Sequence, residues 1–382
     1  MVISPELTDF QDRIVGSWTR DSHRDAALRY VTGLLRTGPK RRSTLRGIQE
    51  AIDGDRALYE RLQGFLVDAT WDPVVVMRGL ARYAAESFDD IQAWMFTETV
   101  VPKRGDKSPG VALQYSPASG RQMNCQRVIS LHAVGRRRGR AVSLPVGWSM
   151  FLPHTWLSVP EHLAQVPAEV HRTHFDSIRY GCWRSRLLER VRDALDRAGL
   201  SEASPWKSAL HAPVVSDRLY VDEVDECEDD LRRIEDVRGL SFVLPVPRHS
   251  VELSEFEEGT VVMQPFGANH ETRLALRWRI PHADGWYQPE RARNRSLLAE
   301  WPLGVDRPSG YWLVGGPLRQ SPSTPMWELG RCALIPRNVD LGWEQLRELG
   351  IDDYEGRSLS GWHRHCALVS LAYAYKLEQQ RG

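Results

Sequence analysis

The sequence lacks a basic surplus, because 50 Lys and Arg residues are balanced by 50 Asp and Glu residues. Proteins that bind nucleic acid draw much of their affinity from cations that neutralise phosphates. The charge balance therefore argues against a nucleic-acid binder that is basic throughout, although local clusters of cations can still contact DNA. Lysine is especially scarce and occurs only at positions 40, 103, 107, 207 and 376.

Cysteine and long apolar runs are also sparse. None of the five cysteines forms a CxxC pair, which argues against a disulfide framework or a zinc knuckle and favours buried free thiols. No run approaches eighteen apolar residues, so no membrane span is expected. The first residues carry acids early and lack an apolar core, so a signal peptide is not expected and the predicted location is cytoplasmic.

What is present is an ordinary globular composition. The 382 residues are 42% apolar and 26% charged, which excludes a wholly disordered chain. That length is enough for one large domain or for two to three smaller ones.

Residues 1–90 are predicted to be helical. Apolar residues recur at helical spacing, as in Leu58, Leu62, Phe65 and Leu66. The Trp-Asp-Pro sequence at 71–73 marks a helix start, because proline is favoured in a first turn. A loop at 38–43 carries Lys40, Arg41 and Arg42, and Arg46 follows it; this cluster either contacts phosphate or is part of a solvated loop.

Beyond residue 90 the pattern becomes that of strands. Runs rich in β-forming residues, separated by turns, predict antiparallel strands at 92–97, 111–115, 126–134 and 140–151. An apolar strand at 212–217, an acidic helix at 222–236 and a strand at 240–247 then follow. This strand–helix–strand order favours a parallel pair.

The last third of the chain changes character twice. Residues 248–325 are rich in Gly, Pro and Trp and predict a β-rich insertion. From about residue 340 the chain is predicted to be helical again. The predicted division is therefore 1–90 (helical), 91–247 (first part of an α/β core), 248–325 (insertion) and 326–382 (helical end of the core).

Three sequence blocks carry a resemblance to a known family. The first spans Phe96–Gly105 and continues through Ser108–Tyr115, the second spans Ser216–Tyr220, and the third spans Asp353–Ser358 with Gly361–His365. In this order the blocks resemble bacterial insertion-sequence transposases of the DDE type, especially the insertion-sequence family numbered 701. The resemblance covers most of the chain, and its first and third blocks are the specific ones.

The resemblance implies an RNase H-like α/β fold, meaning a mixed sheet flanked by helices. It also implies phosphoryl transfer on DNA with two Mg²⁺ ions that clamp the attacking and leaving oxygens. Magnesium prefers carboxylate and water oxygens, so such a site needs three converging carboxylates. The second and third of these carry over as Asp217 and Glu355, which would be the metal ligands.

The first carboxylate does not carry over, because Thr97 stands at its position. A hydroxyl is a poor Mg²⁺ ligand beside a carboxylate. Glu98 is adjacent, but neighbours in a strand point to opposite faces, so Glu98 could replace the ligand only through a bulge or a slip of one residue. DNA cleavage and strand transfer are therefore expected to be impaired.

Basic residues of the resembling blocks complete the candidate site. Arg357 is expected to pair with Glu355 and Asp217 when metal is absent, and Lys103 and Arg104 are candidate contacts to DNA phosphates. DNA is thus the implied partner, and a homodimer is compatible with the resemblance. The alternatives are a transposase fold that now acts on a small molecule and a non-catalytic DNA-binding regulator.

Overall fold

The computed structural model describes residues 3–37, 43–116, 120–166, 212–216, 241–246, 252–256, 261–263, 270–282, 285–287, 296–302, 310–315, 332–333 and 335–380. The helices predicted before residue 90 are α1 (Pro5–Val15), α2 (Asp21–Arg36), α3 (Leu45–Ala51), α4 (Arg56–Val67) and α5 (Pro73–Ser87). The helices that follow within the described residues include α6 (His154–Leu157), α7 (Pro160–Leu163), α8 (Trp343–Glu348) and α9 (Leu359–Gln379).

Local sequence explains where several of these helices begin. The residue before the helix accepts a hydrogen bond from a first-turn N–H group at Ser4, Thr44, Asp55, Asp72 and Ser358. Such caps satisfy N–H groups that have no partner within the helix. Pro73 occupies the first turn of α5, as the sequence predicts.

The core of the fold is a mixed sheet. Its strands are β1 (Asp90–Pro102), β2 (Ala112–Ser116), β3 (Arg121–Arg137), β4 (Arg140–Met150), β5 (Val214–Ser216) and β6 (Phe242–Val246). The turn between β3 and β4 places Arg138 and Gly139 at φ of 53° and 75°. Positive φ at two central turn residues suits the right-handed twist of a tight hairpin.

The strand pairing gives this sheet the predicted RNase H-like arrangement. β1 lies between β3, which is antiparallel to it, and β5, which is parallel to it. β4 pairs antiparallel with β3 on one side, and β6 pairs parallel with β5 on the other. The parallel pair predicted from residues 212–247 is confirmed, whereas the acidic helix predicted between its strands lies outside the described residues.

The predicted insertion extends the same sheet. Its strands are β7 (Glu252–Phe256), β8 (Val261–Met263), β9 (His270–His282), β10 (Gly285–Tyr287), β11 (Ser296–Pro302) and β12 (Gly310–Gly315). β12 pairs with β6, β11 joins β12 to β9, and β7, β8 and β10 pair with β9. The β-rich character predicted for 248–325 is therefore confirmed in its described parts.

The N-terminal helices share one hydrophobic core with the sheet and with α9. This core includes Leu34 of α2, Leu80 of α5, Phe96 of β1 and Leu368 of α9. A second apolar cluster contains Met95, so β1 is buried on both faces, as expected for a central strand. None of the described helices is both long and apolar enough to cross a membrane.

Candidate functional site

Thr97 lies inside β1 and is buried, with 4% of its surface exposed. β3 runs antiparallel to β1 and places Ser130 directly opposite Thr97. On the other side, β5 is parallel to β1 and pairs Ser216 with Phe96, the residue before Thr97. Asp217, the next residue after Ser216, lies outside the described residues, so its distance from Thr97 stays a prediction.

The described side chains that share a face with Thr97 on the neighbouring strand are buried and uncharged. His132 shares a face of β3 with Ser130, because alternate strand residues point the same way. The Ser130 Oγ and His132 Nε2 atoms are 3.0 Å apart, and both residues are 0% exposed. Burial lowers the pKa of His132 to about 3, so its imidazole is neutral at pH 7. We call Thr97, Ser130 and His132 the Thr97 layer.

Aromatic rings enclose the imidazole of this layer. The ring centroids of Trp148 and Trp343 lie 6.3 and 6.1 Å from that of His132. The Trp148 Nε1 group donates to Ser370 Oγ of α9, and within the described part of the chain His132 Nδ1 has no hydrogen-bond partner. The layer is therefore walled by apolar surface.

Glu98 is committed to an ion pair. Its Oε1 atom accepts a hydrogen bond of 2.6 Å from Arg127 Nε, and the two side chains are 7% and 15% exposed. The Arg127 guanidinium also lies over the Phe151 ring, 5.5 Å from its centroid. No register shift interrupts the β1–β3 ladder at this point, so Glu98 faces away from the Thr97 side.

Lys103 follows the end of β1 and hydrogen-bonds to the backbone of residues 352–354, which are distant in the sequence. Its Nζ atom donates to the carbonyl oxygens of Asp352 and Tyr354, at 2.8 and 3.1 Å. The pKa of the Asp352 carboxyl is raised by burial, against the opposing effects of Arg347 and Lys103. Lys103 thus supports the 352–354 backbone, a role that the sequence does not indicate.

Glu355 and Arg357 lie in the irregular segment 353–358, before α9 rather than within it. Both residues are exposed. Since Tyr354 contacts Lys103, this segment adjoins the far end of β1, and six strand positions separate Lys103 from Thr97. At about 3.3 Å per residue, those positions span roughly 20 Å.

Glu355 and Arg357 line one cavity of about 670 Å³. Its other wall comes from the N-terminal helical region and includes Arg46, Tyr59 and Gln63. Thr97 and Glu98 are not among the lining residues. We call this space the Arg357 cavity; it brings together two of the candidate residues and separates them from the other two.

A buried histidine, His365, lines this cavity and is held by two hydrogen bonds. His365 Nε2 lies 2.8 Å from the carbonyl oxygen of Gly350, which can only accept, so Nε2 carries the proton. His365 Nδ1 then accepts from the Tyr30 hydroxyl at 2.8 Å. Burial lowers the pKa of His365 to about 4, which keeps the ring neutral and joins α9 to α2.

The remaining candidate residues are distributed as follows. Arg104 is exposed in the turn after β1, while Lys40, Arg41 and Arg42 lie outside the described residues. Sequence reasoning missed Ser130 and His132, although their spacing of two in a predicted strand indicates a shared face. It also missed Ser43, which lines the Arg357 cavity and for which the sequence gives no signal.

A comparison with known families bears on these observations. A family model described as "DDE superfamily endonuclease" matches residues 13–226, more than half of the 382 residues. The chain therefore belongs to this family of DDE superfamily endonucleases. The match includes Thr97, Glu98 and Asp217 and ends before Glu355 and Arg357. No curated protein matches the chain.

Family membership makes this a transposase-like protein, and DDE nucleases act on DNA, typically with divalent metals. The described side chains do not fit such a metal site by themselves. Within the described ranges, no three His, Cys, Asp or Glu side chains are grouped closely enough to hold a metal ion. Thr97, which the resemblance places at the position of the first acid, is a buried hydroxyl, and Glu98 is held by Arg127.

Proposed function

We propose that this DDE-family protein is a transposase-like DNA-binding protein in which metal-dependent DNA cleavage and strand transfer are impaired. The observation that carries the proposal is the burial of Thr97 in β1, and the resemblance supports its assignment to the position of the first acid. The proposal has two parts, contact with DNA and loss of the metal chemistry, and the experiments below separate them.

The register of β1 and β5 supports the assignment of position 97. Phe96 pairs with Ser216, so one more step along each strand gives Thr97 and Asp217. Consecutive Cα atoms are about 3.8 Å apart and paired strands about 4.8 Å apart. Asp217 itself lies outside the described residues; the resemblance pairs it with Thr97 as the second acid, and only one of these two residues is a carboxylate.

The contacts of Glu98 argue against its acting as a substitute ligand. To turn toward the Thr97 face, the carboxylate would have to leave Arg127, which would then lose this anion in a nearly closed environment. Breaking a buried pair in this way is costly, because one charge stays desolvated without compensation.

The neutral surroundings of Thr97 point in the same direction. Ser130 and His132 offer no negative charge, and the low pKa of His132 reflects a site that disfavours ions. A divalent cation in such a place would need carboxylates that the described part of this layer does not supply. A metal-dependent step at this layer is therefore disfavoured by the residues themselves.

A second candidate function is action on a small molecule, and the Arg357 cavity is the observation that favours it. Its volume of about 670 Å³ lies in the usual range for small-ligand sites, roughly 300–1,000 Å³. A non-catalytic DNA-binding regulator remains compatible with the same chain, since it needs no metal ligands.

The test is a cleavage and strand-transfer assay on duplex DNA that carries the ends of an insertion sequence, with Mg²⁺ and with Mn²⁺. The natural protein is compared with Thr97→Asp and Glu98→Gln, and Thr97→Val is the control for loss of the hydroxyl. We expect little or no cleavage by the natural protein. Cleavage gained in Thr97→Asp would locate the impairment at this position.

Two other outcomes would redirect the proposal. Robust cleavage by the natural protein that Glu98→Gln abolishes would show that Glu98 is the first acid. Absence of cleavage in every variant would favour the small-molecule function or the regulator, which DNA-binding measurements on the natural protein would then distinguish.

A further inference from the structure

The Arg357 cavity contains binding groups that no described residue engages. Ser43 lines the cavity and is only 1% exposed. Its Oγ atom is buried and has no hydrogen-bond partner within the described residues. Arg357 also lines it, and no ion pair or hydrogen bond with a described residue engages its guanidinium. A buried hydroxyl without a partner is unfavourable unless a ligand or water completes it.

Both signs of charge meet in this space. Arg46 and Arg357 both line the cavity, and Asp353 and Glu355 come from the same segment as Arg357. The Asp353 carboxylate is already used, since it accepts a hydrogen bond of 2.6 Å from the Ser43 backbone N–H. A ligand that presents an oxyanion together with N–H donors fits this lining better than a simple anion does.

The walls also offer an aromatic and an apolar surface. Tyr59 of α4 is half-buried at the cavity, next to Gln63, whose amide can both donate and accept. Leu45, Leu66 and Val67 supply apolar contacts. Stacking on an aromatic ring, combined with cations along a groove, is how proteins hold unpaired bases and their backbone.

We propose that the Arg357 cavity binds one unpaired nucleotide of a DNA strand. Arg357 and Arg46 would contact the phosphates, Tyr59 would stack on the base, and Ser43 and Gln63 would hydrogen-bond its edge. The inference rests on the proposed DNA-binding function and adds a location for it. The cavity volume suits a single nucleotide and is too small for a double helix.

The chain offers a matched pair of arginines for the test. Arg46 and Arg56 are both highly exposed, at 83% and 91% of the side chain, and each bonds through Nε to a glutamate four residues later in its helix. Arg46 lines the cavity and Arg56 does not. Arg46→Gln and Arg56→Gln therefore remove the same charge and the same kind of ion pair.

The experiment measures binding of a labelled 20-nucleotide single strand by the full chain, over a range of salt concentrations. A blunt duplex of the same sequence is the comparison probe. Arg357→Gln is expected to weaken single-strand binding about tenfold, and to reduce the salt slope by about 0.7. We expect Ser43→Ala and Arg46→Gln to weaken it by smaller factors, and Arg56→Gln to leave it within about twofold.

A deoxynucleoside monophosphate serves as a competitor, with the phosphate-free deoxynucleoside as its control. Competition by the monophosphate alone supports the cavity. If the monophosphate binds the natural protein and no DNA does, the nucleotide site stands with a free nucleotide as its source, and the proposed DNA-binding function fails.

Other results overturn the inference. Single-strand binding that Arg357→Gln and Ser43→Ala leave unchanged would refute the cavity as the site and would leave the proposed function standing. An equal loss on the blunt duplex would refute the unpaired nucleotide. Absence of binding to every probe would overturn both proposals.

Discussion

The Thr97 layer and the Arg357 cavity are two regions of one protein that differ in charge and in access. The layer is buried, its described side chains are neutral, and rings of Trp148 and Trp343 surround its imidazole. The cavity is open and carries both arginines and carboxylates. Each region includes a residue of a block that resembles a DDE transposase, Thr97 in the layer and Arg357 in the cavity, and of these two only Thr97 is buried.

This difference shows that metal-dependent catalysis and DNA binding have separate structural requirements. A two-metal site requires several carboxylates at one point, so one substitution in a closed layer disables it. Contact with a strand depends on separate cations and stacking surfaces, each of which contributes on its own. Under the proposed assignment of Thr97 to the position of the first acid, loss of that acid therefore does not entail loss of DNA binding.

The largest expected effect comes from placing a charge in the Thr97 layer. Thr97→Asp should lower the free energy of unfolding by about 3 kcal/mol or more, because the carboxylate would be buried beside Ser130 and His132, which are both neutral at pH 7. Thr97→Val should cost only about 1 kcal/mol, the scale of one hydrogen bond. Urea unfolding at pH 7 measures both. If Thr97→Asp is as stable as the natural protein, the layer tolerates charge and its contrast with the cavity disappears.

The pH dependence of stability tests the same layer. Burial lowers the pKa of His132 to about 3, from 6.5 for the free side chain. Between these values the unfolded chain binds more protons than the folded one, so the free energy of unfolding falls as the pH falls. The slope from this residue is about 1.4 kcal/mol per pH unit. His365, lowered to about 4, acts in the same direction.

His132→Gln isolates the contribution of the layer, because glutamine can still bond to Ser130 and does not titrate. Urea unfolding at pH 7, 6, 5 and 4 should show a shallower decline in this variant, smaller by about 3 kcal/mol over the range. Parallel curves for the variant and the natural protein would mean that His132 is accessible to protons in the folded state.

A smaller effect is expected at Glu98, the carboxylate beside the layer. Glu98→Gln should lower the free energy of unfolding by about 2 kcal/mol, because Arg127 loses a close and poorly exposed anion. The double variant Glu98→Gln with Arg127→Met should recover part of the loss. Glu60→Gln, which removes an exposed partner of Arg56, is the control and should cost less than about 0.5 kcal/mol. Equal costs at the two sites would show that Glu98 is free to move.

The sequence predicts much of the fold for identifiable reasons. Helical spacing and capping residues locate the helices before residue 90, and Pro73 marks the first turn of α5. Strand extents are predicted less well. β1 reaches Pro102 rather than 97, and β3 begins at Arg121 rather than 126, because these polar or exposed ends are held by ladder partners and not by an apolar pattern.

The two regions differ in how far sequence reveals them. Thr97 stands out because a resembling block requires an acid there, and the strand period separates it from Glu98. The Arg357 cavity could not be predicted, since its walls join residues such as Ser43 and Arg357 that are about three hundred positions apart. Contacts of that separation depend on the packing of α9 against α2 and α4.

The smallest expected effect is on the free energy of unfolding of the cavity variants. This measurement decides whether weaker DNA binding by a variant reflects the cavity or a loss of folding stability. Arg357→Gln should change the free energy of unfolding by less than about 0.5 kcal/mol, because Arg357 is exposed and within the described structure supports no ion pair. Urea unfolding at pH 7 measures this, with Arg56→Gln as the control. A binding loss in a variant of unchanged stability would then belong to the cavity itself. Destabilisation by 2 kcal/mol or more would instead make Arg357 part of the framework, like Lys103, and would remove the contrast between a closed structural layer and an open binding surface.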